Sequence, residues 1–155
     1  MNKDQVTELI HRYTKVSFIV NRMAESLIKD QLSDALTNGQ FYMLRYIQEQ
    51  GTCTSSNLAE AFFVNKSAIT AIISRLKDKG LINRVRNEDD RRVVYLTLSE
   101  KGQKLFTETE TRIHLLLENF ITEFNEDEIS AFITTYEKLS EILVDLKQNQ
   151  QEELE

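Results

Sequence analysis

The chain has 155 residues, a hydrophobic fraction of 41% and a formal net charge of −6, with no proline, four glycines and one cysteine. That length suits one domain, or one domain with an added oligomerisation element, and the apolar fraction is too high for a disordered chain. No run of about 18 apolar residues offers a membrane span and the start, MNKDQVTELIHRY, has no apolar signal core, so a cytoplasmic protein with no membrane partner is expected.

Residues 4–29 read as one long helix. Val6, Leu9, Ile10, Tyr13, Val20, Ala24 and Leu27 follow a helical period, and Val16, Phe18, Ile19, Met23 and Ile28 widen the stripe. A helix this apolar needs cover on more than one side, which a second subunit supplies in many small proteins. His11 and Tyr13 fit core packing, with a ligand cavity shared with Phe41 or Tyr42 as the alternative. A short connection from Leu32 to Leu36 leads to Thr37-x-x-Gln40, a capping-box pattern. The helix it starts has Phe41, Leu44 and Ile47 as its buried face and ends at Gly51. Thr54 or Ser55 caps the next, short helix, with Leu58, Ala59 and Phe62 inward.

The following helix, Lys66 to Lys79, is the most informative. Ile69, Ile72, Ile73 and Leu76 are spaced i, i+3, i+4, i+7, which is one helical face. Asn65 stands at the N-cap position, and Gly80 stands where a left-handed C-terminal residue is needed. The other face carries Ser67, Thr70, Ala71, Ser74 and Asp78, flanked by Lys66, Arg75, Lys77 and Lys79. Small hydroxylated side chains with cations at the edge suit entry into a DNA major groove, hydroxyls to base edges and cations to phosphates. The alternative is the solvated face of a structural helix.

Ile82 to Arg86 and Val93 to Leu98 read as two β-strands around the polar turn Asn87-Glu88-Asp89-Asp90-Arg91-Arg92. Arg84 and Arg86 alternate along the first strand and so share a side. Arg91 and Arg92 at the tip suit a minor groove or its phosphates, and Asp90 can pair with an arginine to hold the loop. Charge is partitioned to match. Residues 65–92 carry eight basic and four acidic groups, net +4, whereas residues 100–155 carry five basic and fourteen acidic, net −9. Local charge, not the total, sets phosphate contacts. Together these pieces form a winged helix-turn-helix.

Ser99 caps a further long helix to about Phe124, with Ile113, Leu116, Leu117, Phe120 and Phe124 as its stripe. Asn125 and Glu128 form another capping-box-like pair. The last helix carries Ile129, Phe132, Ile133, Tyr136, Leu139, Ile142, Leu143 and Leu146, and the tail QNQQEELE is expected to fray. The predicted architecture is mostly α with a small β-wing. Residues 34–99 form the winged helix-turn-helix, residues 1–33 and 100–148 a helical dimerisation region built from both termini, and residues 149–155 a polar tail. Leu9, Tyr13, Phe132, Leu139, Leu143 and Leu146 are the expected dimer interface, an intrachain bundle being the alternative. A two-fold dimer would place two recognition helices about 34 Å apart, one DNA turn, on a palindrome.

Leu36-Thr37-x-x-Gln40-Phe41, Leu58-Ala59-Glu60, Arg75-Leu76-x-x-x-Gly80-Leu81-Ile82, Asp90-Arg91-Arg92 and Leu98-Ser99-Glu100-Lys101-Gly102 together resemble the MarR (multiple antibiotic resistance regulator) family of transcription factors, over nearly the whole chain. The resemblance implies a homodimer with a winged helix on each subunit, bound to palindromic double-stranded DNA, usually as a repressor. It also implies release by a small phenolic or lipophilic effector in many members. It maps the wing arginine onto Arg91 or Arg92, the wing-stabilising aspartate onto Asp90, and the recognition-helix contacts onto Asn65 to Arg75. The candidate DNA contacts are thus Asn65, Lys66, Ser67, Thr70, Ser74, Arg75, Arg84, Arg86, Arg91 and Arg92.

Some family members sense oxidants through a cysteine in the first long helix, where this chain has none. Its sole cysteine, Cys53, fits an inert lone thiol; because it precedes a helix N-terminus, which can lower a thiol pKa, a redox-responsive regulator acting through Cys53 is the alternative. His11 and His114 have no ligand-spaced partners, so no metal and no cofactor are expected. No phosphate loop or catalytic triad pattern is present, which argues against an enzyme. The remaining rival is a winged-helix protein-interaction module, which a steep salt dependence of DNA binding would exclude.

Overall fold

A computed structural model describes residues 1–33 and 36–152. The order is α1 (Lys3–Gln31), α2 (Asn38–Gln50), α3 (Ser55–Ala61), α4 (Lys66–Asp78), β1 (Ile82–Arg86), β2 (Val94–Leu98), α5 (Glu100–Ile121) and α6 (Glu126–Glu152). The expected connection from Leu32 to Leu36 falls partly on residues 34 and 35, outside the described residues. The fold class agrees with the sequence: helices throughout, with one two-stranded antiparallel sheet.

Helix starts follow side-chain capping. Thr37 Oγ1 accepts from the Gln40 N–H, and Gln40 Oε1 accepts from the Thr37 N–H. Thr54 and Asn57 make the same exchange before α3. Asn2 and Gln5 do so before α1, a capping box that the sequence reading passed over. Asn125 and Glu128 start α6. α6 then runs through the segment expected to fray, as far as Glu152. α5 stops at Ile121, short of Phe124.

The chain divides into two compact units, Met1–Ile113 and His114–Glu155. The core of the first is Phe41, Met43, Leu44, Ile47, Leu58, Ile69, Ile73, Leu76, Leu81, Ile82, Leu96, Phe106 and Ile113, all buried. Phe41 stacks on Phe106 with centroids 5.7 Å apart. Each fully buried Leu, Ile or Phe stabilises by roughly 1.5–3 kcal/mol, so these helices are held by the core they share. Residues Gly102, Phe106, Thr109 and Ile113 form the buried face of α5. The sequence reading found only Ile113 of these, because the glycine and threonine interrupt the apolar pattern.

α1 buries no residue. His11 and Tyr13, expected in a core, are exposed, because α1 packs no described residue of its own unit over that turn. Leu9, Phe18, Ile19, Met23 and Leu27 are also exposed, Phe18 by 68%. In the second unit Phe132, Ile133, Tyr136, Ile142, Leu143 and Leu146 are exposed, and Leu139 is half-buried. Phe132 and Tyr136 stack on each other at 5.4 Å.

Candidate nucleic-acid interface

α4 divides its residues as its periodicity requires. Ile69, Ile73 and Leu76 are buried, and Ile72 is half-buried. Asn65, Lys66, Ser67, Thr70 and Arg75 are exposed, and Ser74 is partly covered. Asn65 Oδ1 accepts from the Ala68 N–H at 2.9 Å and from the Ser67 hydroxyl at 2.7 Å. The cap therefore consumes the Asn65 oxygen and leaves its amide NH2 to donate outward. The Thr70 hydroxyl donates to the Lys66 carbonyl at 2.7 Å. Ser67 and Thr70 have spent their hydrogens on the protein, so both present lone pairs to any donor approaching the helix.

The C-terminal end of α4 is clamped by residues from distant elements. Gly80, at φ 70°, closes the helix: its N–H donates to the Lys77 carbonyl and that of Leu81 to the Leu76 carbonyl. Lys79 Nζ donates to Gln40 Oε1 on α2 at 2.9 Å. The Ser99 hydroxyl donates to the Gly80 carbonyl at 2.6 Å and accepts from the Gly102 N–H at 2.9 Å. Lys101 Nζ donates to the Lys79 carbonyl at 2.8 Å. A Cβ on Gly102 would collide with the Leu81 carbonyl oxygen. The Ser-Glu-Lys-Gly motif is thus a latch between the start of α5 and the last turn of α4. The sequence alone shows Ser99 as a cap and Lys79 as a cation at the rim of α4; the latch appears only in the fold.

In the wing, Ile82 pairs with Leu98, Arg84 with Leu96 and Arg86 with Val94. Ile82, Arg84 and Arg86 share one face of the ribbon, buried at Ile82 and exposed at both arginines. The tip is built on two side chains. Asn87 Oδ1 accepts from the N–H groups of Asp89 and Asp90, and Asn87 Nδ2 donates to the Tyr95 hydroxyl. Asp90 Oδ1 accepts from the Arg92 backbone N–H at 3.0 Å and from Arg92 Nε at 3.1 Å. The Arg92 side chain and then its backbone N–H hold the Asp90 carboxyl below the usual carboxylate range. Arg91 is exposed and has no side-chain partner among the described residues. Sequence reading had grouped Asn87 with the turn residues without a role. An asparagine at the start of a polar turn, able to accept from the N–H groups two and three residues on, was the available signal.

The environment of Cys53 agrees with an inert thiol and not with the redox alternative. Cys53 is 3% exposed, pairs its backbone with Leu96 in an isolated bridge, and has its thiol pushed up to about 11 by burial. Desolvation of the thiolate outweighs any help from the α3 N-terminus, so this is an inert thiol rather than an activated one. Among the described residues no group of three His, Cys, Asp or Glu side chains is placed to hold a metal ion. No described helix is long and apolar enough to cross a membrane.

Comparison with known proteins places this geometry. The profile of the MarR family matches residues 36–94. The HTH-type transcriptional regulator YpoP of Bacillus subtilis is 30% identical over 118 residues, 72% of this chain and 79% of that one. The HTH-type transcriptional repressor MdtR of the same organism is 28% identical, over 84% of this chain and 85% of its own. The solved structure of a MarR family protein from Bacillus stearothermophilus superposes with a TM-score of 0.73 at 26% identity, covering 92% of this chain and 98% of that one.

Proposed function

The chain belongs to the MarR family of transcriptional regulators, and from that premise we propose that it is a homodimeric repressor of a palindromic operator. In this reading α4 enters the major groove. Asn65, Ser67, Thr70 and Ser74 meet base edges, and Lys66 and Arg75 meet phosphates. Arg84 and Arg86 line the wing's approach to the backbone, and Arg91 reaches a minor groove from a tip that Asp90 and Arg92 stiffen. The observation that carries the proposal is the coincidence of charge and shape: the one strongly basic segment, net +4 over residues 65–92, is the exposed side of a helix and the ribbon beside it. A sequence-blind protein-docking module has no need for that match.

The dimer rests on the apolar faces of α1 and α6, which leave large side chains in water. Apolar surface of this kind marks an interaction site, and a second copy of the chain is the partner proposed for each face. Residues 1–33 and 100–148 are accordingly the dimerisation region and residues 34–99 the DNA-binding region. Release by a small phenolic or lipophilic effector, and action in the cytoplasm, rest on the family alone. Selection of bound duplexes from a random pool tests the proposal. Enrichment of one palindrome supports it; retention of all sequences alike, or of none, overturns it. A candidate effector is then one that dissociates the enriched complex.

A further inference from the structure

The two helices of the helix-turn-helix end in the same hydrogen-bonded motif with different residues. At the end of α4, Gly80 takes the left-handed position, φ 70°, and Leu81 N–H reaches back to the Leu76 carbonyl. At the end of α3, Phe63 takes that position, φ 51°; its N–H donates to the Glu60 carbonyl and that of Val64 to the Ala59 carbonyl. Glycine is the residue this position favours, because a Cβ crowds the backbone there. Phe63 is the one non-glycine residue with positive φ among the described residues. A bulky aromatic is an uncommon occupant of that region.

Packing does not account for the choice. Phe62, its neighbour, is the ring turned to the protein, edge-on to Tyr46 at 6.0 Å. The Phe63 side chain is 45% exposed, and Val64 beside it is 42% exposed. The backbone therefore carries strain at Phe63 while part of the ring stays in water. Strain of this kind persists at sites where the side chain has another use. The position says which. Phe63 lies two residues before Asn65, the N-cap of α4, and the next exposed residues are Lys66, Ser67, Ala68 and Thr70.

We propose that Phe63 is a specificity-determining residue of the DNA interface, its ring packing on the C5-methyl group of a thymine at the edge of the major groove. This rests on the reading that α4 enters that groove N-terminus first. A turn that delivers the helix then lies at the groove's edge, and the thymine methyl is the apolar group the groove offers to an aromatic side chain. An exposed ring at the N-terminal edge of α4 offers that methyl a larger apolar surface than the short side chains of the helix do.

The test compares the full-length wild type, F63G and F63A on the duplex that the wild type selects from a random pool. It repeats the measurement with each thymine in turn replaced by deoxyuridine, which removes only the methyl. The wild type should lose about three- to tenfold in affinity at one thymine per half-site, as burial of a methyl group implies. F63G and F63A should bind the unmodified duplex more weakly by a similar factor and should no longer distinguish thymine from uracil at that position. F63G should also melt at a higher temperature than F63A, since glycine relaxes the turn. Wild-type affinity in both variants, or persistence of the thymine preference in them, overturns the proposal. Loss in F63G with full binding in F63A would trace the effect to backbone order in the turn and overturns it too. A wild type that selects no duplex removes the DNA reading itself, a failure separate from that of Phe63.

Discussion

Asp90 is bonded to one of the two arginines beside it and leaves the other exposed, which is the basis of the contact proposed for Arg91. Arg92 is spent on Asp90, through both its guanidinium and its backbone N–H, whereas Arg91 projects into solvent. Arg91→Ala should weaken operator binding by about 1–3 kcal/mol with no change in melting temperature. Equal affinity in variant and wild type, measured by fluorescence anisotropy, would take Arg91 out of the interface. The Asp90 carboxyl is held below its ordinary range by Arg92. The contact is therefore intact above the ordinary carboxylate pKa of about 3.9 and fails as the pH falls through the lowered value, so the tip should keep its order through neutral pH. Cys53 has the opposite sign. Its thiol is raised from 9.0 to about 11, so its contribution to stability is complete below pH 9 and declines as the pH rises toward 11. At pH 8 roughly one thiol in a thousand is ionised. Iodoacetamide should alkylate the folded protein far more slowly than the denatured chain; comparable rates would contradict the buried, inert thiol.

At the scale of elements, the recognition helix is fixed at both ends by groups outside it. Asn65 holds the start, and the α5 latch of Ser99, Lys101 and Gly102 holds the end. Gly102→Ala should destabilise the protein by about 1–3 kcal/mol, because the added methyl must displace the Leu81 carbonyl in a packed interior. An unchanged thermal midpoint would show that the junction yields freely. Most of this architecture was legible in the sequence, since helix periods, caps and β-branched strands are local signals. The capping boxes at Thr37 and Asn125, the α4 face and the wing strands read directly. The latch did not, because its partners are about twenty residues apart in the chain and Gly102 matters only through the carbonyl it touches. The buried side of α5, apart from Ile113, was missed for a related reason: Thr109, fully buried, looks like a surface residue until the helix is packed. The candidate DNA contacts were legible as a face and a charge, but the division between Arg91 and Arg92 required the geometry of the tip.

At the scale of the whole molecule, two features of the chain need a partner. One is the net +4 segment on α4 and the wing, in a chain of net −6; the other is the apolar surface of α1 and α6. DNA is the partner proposed for the first and a second copy of the chain for the second. Leu143→Asp should convert the dimer to monomer, because it sets an unpaired carboxylate in an apolar seam. A mass in solution equal to the wild type's would place Leu143 outside the interface. Lys66→Ala should weaken binding to all sequences alike and reduce the salt slope by about 1. The most direct test of sequence-specific binding through α4 and the wing is the affinity of the full-length protein for its selected duplex and for a scrambled one, each measured across a range of salt. The expected result is two chains bound per selected duplex, a steep fall in affinity with salt on both duplexes, and a preference for the selected one at every salt concentration. Equal affinity for the two duplexes, or none for either at low salt, would contradict it.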